Sequence, residues 1–196
     1  MQDKYLGDII SSDGSNSATL KERKGKAIGC ANDIMSILET ISFGHQYFRI
    51  LVLLREAMFI NCILTNADIW FGLKEGDLKE LEDIDRNLLR RALKCPSTTP
   101  KEADHLELGI LTIGSIVKSR RLNYLHYLLQ SEKEGMLYKF FQAMYENPSK
   151  DDWTEQVLRD LKDLNMKEKF EDIQSKSQFA KKKMVKIEIQ EYAMDH

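Results

Sequence analysis

Seven cations in two short runs are the residues of this chain best suited to chemistry. Lys21, Arg23, Lys24 and Lys26 fall in the opening turns of one predicted helix, and Lys118, Arg120 and Arg121 fall in the middle of another. Positive charge at a helix N-terminus opposes the macrodipole at a cost of a few tenths of a kcal/mol per residue. An arriving phosphate reverses that sign, because dipole and side chains then both attract it. A solvated charged turn, partly offset by Glu22, explains the first run equally well.

The second run is stranger. Residues 113–129 read as one helix, with Ile113, Val117, Tyr124, Tyr127 and Leu128 on one face and Leu122 and Leu129 on the far side. Arg120 and Arg121 fall inside the apolar arc. A guanidinium there must be paired within the protein or meet an anion from outside. Arg120, at the centre of the arc, is expected to be the buried one, with Asp85, Asp104 or Glu107 as partner. Arg121, nearer the rim, is the better phosphate ligand. Arg55 poses the same problem between Leu51 and Phe59, and an ion pair with a distant acid is expected.

The elements that must position these groups are nearly all helical. Lys4 to Gly14 is the one extended-looking stretch, with Asp13-Gly14 as its turn signal. A first helix, about Thr19 to Ile41, buries Leu20, Ala27, Ala31, Ile34, Met35 and Leu38. The second, about His45 to Thr65, is apolar nearly all round and therefore central. A corner with Trp70, Phe71 and Gly72 precedes a third helix from Asp77 to Leu93, acidic at its start and basic at its end as the dipole prefers. Cys95-Pro96 stops it, and Gly109 ends a short helix that follows. After the arginine-bearing helix come two amphipathic ones. The first carries a stripe of Met136, Leu137, Phe140, Phe141 and Met144; Asp152 and Glu155 cap the second, which buries Trp153, Val157, Leu158, Leu161 and Leu164. Past Asn165 the periodicity decays, and Lys181, Lys182 and Lys183 read as a solvated face.

Composition narrows the function. The 196 residues are 31% charged and 42% apolar, with a net charge of −2. Such a chain is globular, and its charge balance opposes strong autonomous nucleic-acid binding. Cys30, Cys62 and Cys95 lack ligand spacing and read as reduced, mostly core thiols. No signal peptide is evident, and the apolar run Ile50 to Leu54 is too short to cross a bilayer, which points to an intracellular protein of nucleus or cytoplasm. There is no Gly-rich phosphate loop, nucleophile elbow or H-E-x-x-H helix, and His45, His105, His126 and His196 are scattered. No catalytic set, cofactor or metal is expected.

Several segments, in order, resemble the end of a non-LTR (LINE-type) retrotransposon reverse transcriptase. Lys4 to Gly7 (KYLG) is similar to the strand leaving the palm, and Ile63 to Gly72 (ILTNADIWFG) to the helix end and aromatic corner of the thumb. Thr99 to Gly109 and Lys118 to Leu129 resemble the segments that follow, and Asp152 to Met166 the continuation past the thumb. The resemblance implies a helical unit that holds a template–primer duplex by its backbone. The family's Tyr/Phe-Ala-Asp-Asp motif and its cysteine–histidine knuckle are not in this sequence, so polymerase chemistry, which needs two metal ions on carboxylates, is not expected of it.

These readings together predict an all-α fold, an irregular bundle of about six or seven helices behind a short N-terminal extended or hairpin segment. Expected divisions are a palm-edge segment (1–17), a helical thumb-like domain (18–166) and a peripheral tail (167–196). The expected function is sequence-independent binding to an RNA/DNA hybrid or duplex backbone through Lys21, Arg23, Lys24, Lys26, Lys118 and Arg121. The alternative is a non-enzymatic helical module that binds another protein or itself, through apolar surface near Tyr5, Ile9 and Ile10. Expected partners are a nucleic-acid duplex, the palm and fingers of a parent polymerase, or a second copy of the chain, and no membrane.

Overall fold

A computed structural model describes residues 2–5, 8–11, 16–73, 75–96, 98–100, 103–132, 134–147, 149 and 152–163. The expected tail 167–196, Leu164 and the Asp13-Gly14 turn signal lie outside the described residues. Strands β1 (Gln2–Tyr5) and β2 (Asp8–Ser11) pair antiparallel. Seven helical rods follow among the described residues: α1 (Ser17–Leu38), α2 (45–63), α3 (Glu75–Leu93), α4 (Ala103–Leu108), α5 (Ile113–Gln130), α6 (Met136–Glu146) and α7 (Trp153–Asp163). The all-α expectation with its N-terminal hairpin is borne out.

The chain divides into two compact units. Residues 1–66 and 73–114 form the first; residues 67–72 and 115–196 form the second. The hairpin belongs to the first unit.

In the first unit the two strands pair with Tyr5 opposite Asp8 and Gln2 opposite Ser11. A lone hairpin is marginal in water, so its open edge needs cover. Thr19, at the start of α1, supplies it: its hydroxyl accepts from the Ile9 amide (2.8 Å) and donates to the Ile9 carbonyl (3.1 Å). The Asp8 carboxylate then accepts from Arg23 (2.9 Å) and from the Asn66 amide (2.8 Å). Asn66 sits at a φ of 59°, a left-handed conformation that asparagine tolerates better than most residues.

The core of this unit follows helical spacing. Leu20, Ala27, Ala31, Ile34 and Leu38 of α1 are buried, and α1 packs along α3, where Leu81, Leu88, Leu89 and Ala92 are buried. α2 is three segments end to end: His45–Leu54, a π-helical stretch Arg55–Ile60, and Asn61–Ile63. The wider turn opens at Arg55, whose side chain is 1% exposed. Arg55 meets Asp85 through two parallel bonds (Nε 2.8 Å, Nη2 2.6 Å) and donates a third to the Leu111 carbonyl (2.9 Å). The expected distant acid is therefore Asp85, which removes it from the expected partners of Arg120. His105 Nε2 approaches the same carboxylate at 3.3 Å.

Two helix ends repeat one solution. α3 closes with Lys94 at φ 56° and the Cys95 amide donating back to the Arg90 carbonyl (3.1 Å). α4 closes with Gly109 at φ 61° and the Ile110 amide donating to His105 (3.0 Å). Both are six-to-one Schellman closures, and only the second uses glycine. In the second unit, Leu122, Leu125, Leu128 and Leu129 of α5 pack with Phe141 of α6 and with Trp153, Val157 and Leu161 of α7. Asp152 caps α7 as expected, accepting from the Glu155 amide at 2.7 Å. Cys30, Cys62 and Cys95 are free and half-buried, which corrects their expected core placement.

Burial pushes the Asp85 carboxyl upward, but hydrogen bonds from His105 and Arg55, with their charges, outweigh it and hold the group below its ordinary value of 3.8. A carboxylate depressed in the folded state contributes stability that is complete above its unfolded pKa and lost as pH falls through the folded one. Denaturant midpoints should therefore fall progressively below about pH 4, and Asp85→Asn should flatten that fall. Arg55→Ala, which leaves the buried carboxylate unpaired, should destabilise by about 3–5 kcal/mol in equilibrium unfolding.

Candidate nucleic-acid interface

The six expected phosphate ligands are divided between the two units. Lys21, Arg23, Lys24 and Lys26 lie on α1 in the first unit, and Lys118 and Arg121 lie on α5 in the second.

On α1 the helix itself sorts the cations. Arg23 shares the face of Leu20 and Ala27 and is 4% exposed. Its guanidinium donates to Asp8 (2.9 Å) and to the Cys62 carbonyl (2.9 Å), so it ties the hairpin and the end of α2 to α1. Its expected phosphate role is corrected: burial closes it to an outside anion and an internal carboxylate already compensates its charge. The signal was present in the sequence, since position 23 falls on the Leu20–Ala27 stripe. Lys24 pairs with Glu80 of α3. Lys26 pairs with Glu22 at 2.7 Å, one turn away in the favourable order of acid before base. Lys21 is exposed and has no ion-pair partner among the described residues.

The outward side of α1 continues from Lys21 through Gly25, Ile28, Gly29 and Asn32, all exposed. A Cβ added at Gly25 or Gly29 would meet nothing within 4 Å. Glycine inside a helix costs about 1 kcal/mol relative to alanine. At these two positions no internal close approach offsets that cost. They leave the helix backbone uncovered at these two positions, beside the exposed Ile28.

On α5 the buried arginine is Arg121 and not Arg120, the reverse of the expected order. Arg121 is the buried member, 4% exposed, with Asp160 of α7 at 3.0 Å and a hydrogen bond to Gln156. Arg120 is half-buried. Tyr127, counted with the apolar arc, is 58% exposed, while Leu122 and Leu129, placed on the far side, are buried. That rotates the buried face by one residue and carries it onto Arg121. A tyrosine can keep its ring against apolar neighbours and its hydroxyl in water, so it is a poor marker of a core face. Asp104, another expected partner of Arg120, faces Arg90 at 3.4 Å. Lys118 pairs with Asp163 at 2.9 Å.

Burial lowers the Arg121 guanidinium from its ordinary value, with Asp160 opposing. Burial raises the Asp160 carboxyl, with Arg121 and Lys118 opposing. On both partners the loss of water outweighs the attraction, so the pair adds little net stability although breaking it is costly. Burial also lowers Arg120, with Asp68 opposing.

Among the described residues no group of three or more His, Cys, Asp or Glu could hold a metal ion, and no helix is long and apolar enough to cross a membrane. No protein-family model, curated protein or solved structure matches the chain.

Arg121→Ala, which strands Asp160 in the interior, should cost about 3 kcal/mol or more in urea unfolding. Arg120→Ala should cost under about 1 kcal/mol. The reverse order would restore the sequence-based assignment.

Proposed function

We propose that this chain is a thumb-like helical part of a LINE-type reverse transcriptase, binding a nucleic-acid duplex by its backbone and carrying no catalytic group of its own. The observation that supports it is the outer face of α1, where Lys21 leads into the uncovered backbone of Gly25 and Gly29. A helix stripped of side chains lets a sugar–phosphate backbone approach closely, without reading bases. The element order also fits the resemblance: hairpin, long helix, central apolar helix, aromatic corner. Arg23 and Arg121 have no part in this reading, and Lys24 and Lys26 reach phosphate only by leaving Glu80 and Glu22. Affinity is therefore weak and its salt dependence shallow.

A second reading is a helical interaction module, and α6 favours it. Its apolar stripe buries only Phe141; Met136 is 77% exposed and Phe140 64%. With Leu137 and Ile69, Phe140 lines a cleft of about 190 Å³ floored by Trp153 and Leu128. The apolar surface expected near Tyr5, Ile9 and Ile10 is not what supports this reading: Ile9 is half-buried, and the side chains of Tyr5 and Ile10 are outside the described set.

Fluorescence anisotropy of the whole chain with a labelled RNA–DNA hybrid tests the first reading. One to three phosphate contacts predict a loss of about 3- to 40-fold between 50 and 200 mM salt. Gly25→Leu should raise helix stability by about 0.5–1 kcal/mol and still weaken binding, which no purely structural role for the glycine explains. No binding at the lower salt overturns the reading. Light scattering tests the second: concentration-dependent association that Phe140→Ser abolishes is expected, and a monomer at all concentrations counts against self-association.

A further inference from the structure

The first unit carries a larger groove, about 750 Å³, between the outer side of α2 and α4. Phe48, Val52 and Leu53 form one wall, Leu108 stands on the other, and Leu93 and Cys95 lie at the end of α3 between them. The groove follows from the all-round apolar sequence of α2. Leu51, Arg55 and Phe59 satisfy its inward side, which leaves a second apolar stripe on the outward side, with Leu53 60% exposed. The groove is also charged in an ordered way. Arg49 lines the α2 wall and Glu107 the α4 wall; both are exposed, and neither has an ion-pair or hydrogen-bond partner among the described residues.

We propose that this groove receives an amphipathic α-helix of a partner protein, apolar anchors inward, with an acidic side chain on Arg49 and a basic one on Glu107. This deepens the second reading above and is independent of the first. The volume is that of a binding site and not of a packing defect. The lining suits a helix that presents anchors at i, i+3, i+4 and i+7, because an amphipathic helix carries charge on both edges of its apolar stripe. A small amphiphile with one head group answers only one of the two charges. Nucleic acid finds an apolar floor and a carboxylate wall, which repel a phosphate backbone.

Cys95 lies in the groove and reports its occupancy, while Cys30 and Cys62 lie outside it and serve as internal controls. The whole chain is alkylated with iodoacetamide and each cysteine is followed by mass spectrometry. Three probes are compared: a synthetic four-turn peptide with a leucine stripe, glutamates on one edge and lysines on the other; the same peptide with lysines on both edges; and dodecyl maltoside. The mixed-charge peptide is expected to slow Cys95 alkylation about tenfold or more, the order of effect of a well-seated anchor cluster, with Cys30 and Cys62 unchanged. Leu53→Asp, at an exposed position that leaves the fold intact, should abolish protection, and Glu107→Lys should weaken it for the mixed peptide. Cys95 left unprotected by the mixed peptide overturns the proposal, as does equal protection by the all-lysine peptide or the detergent. Neither failure touches self-association through α6, which light scattering reads separately.

Discussion

A guanidinium sealed inside an apolar interior has to be met on every side, and Arg55 imposes that requirement on the whole first unit. Its two bonds to Asp85 fix α2 against α3, and its third, to the Leu111 carbonyl, fixes the chain that leads into α5. His105 of α4 reaches the same carboxylate. One ionic centre therefore sets the positions of four segments that apolar packing alone would hold less specifically. Attraction of this kind adds little net stability, since desolvation offsets most of it. Its contribution is to make one arrangement of the helices better than its neighbours.

The same device recurs at Arg23 with Asp8 and at Arg121 with Asp160. Of the six expected phosphate ligands, Arg23 and Arg121 are internal struts, and Lys24, Lys26 and Lys118 pair with acids. Lys21 and Arg49 are exposed and have no ion-pair partner among the described residues.

Much of this was legible in the sequence, and the misreadings share a physical cause. The helices, the cap at Asp152, the stop at Gly109 and the buried pairing of Arg55 all follow from local spacing and turn chemistry. Local spacing does not reveal what lies across the interface. Arg120 and Arg121 differ by about 100° around α5, and two tyrosines were enough to shift the inferred face by that step. The stripe of α6 is amphipathic by pattern, but pattern states only that a face is apolar and not that the protein covers it. The split into two units was invisible for the same reason: it depends on which long-range contacts are missing, and no composition shift marks residue 66 or 114.

The π-helical stretch at Arg55–Ile60 sets a limit on how this chain can change over time. A π turn holds one residue more than the α winding on either side of it. Loss of a single residue there would restore regular winding and leave Ile63 and the chain beyond it on the faces they now fill, whereas a residue lost from the α winding on either side would turn them by about 100°. Arg55, Phe59 and Ile60 of this stretch are buried, so here side-chain identity, more than length, is the inherited property.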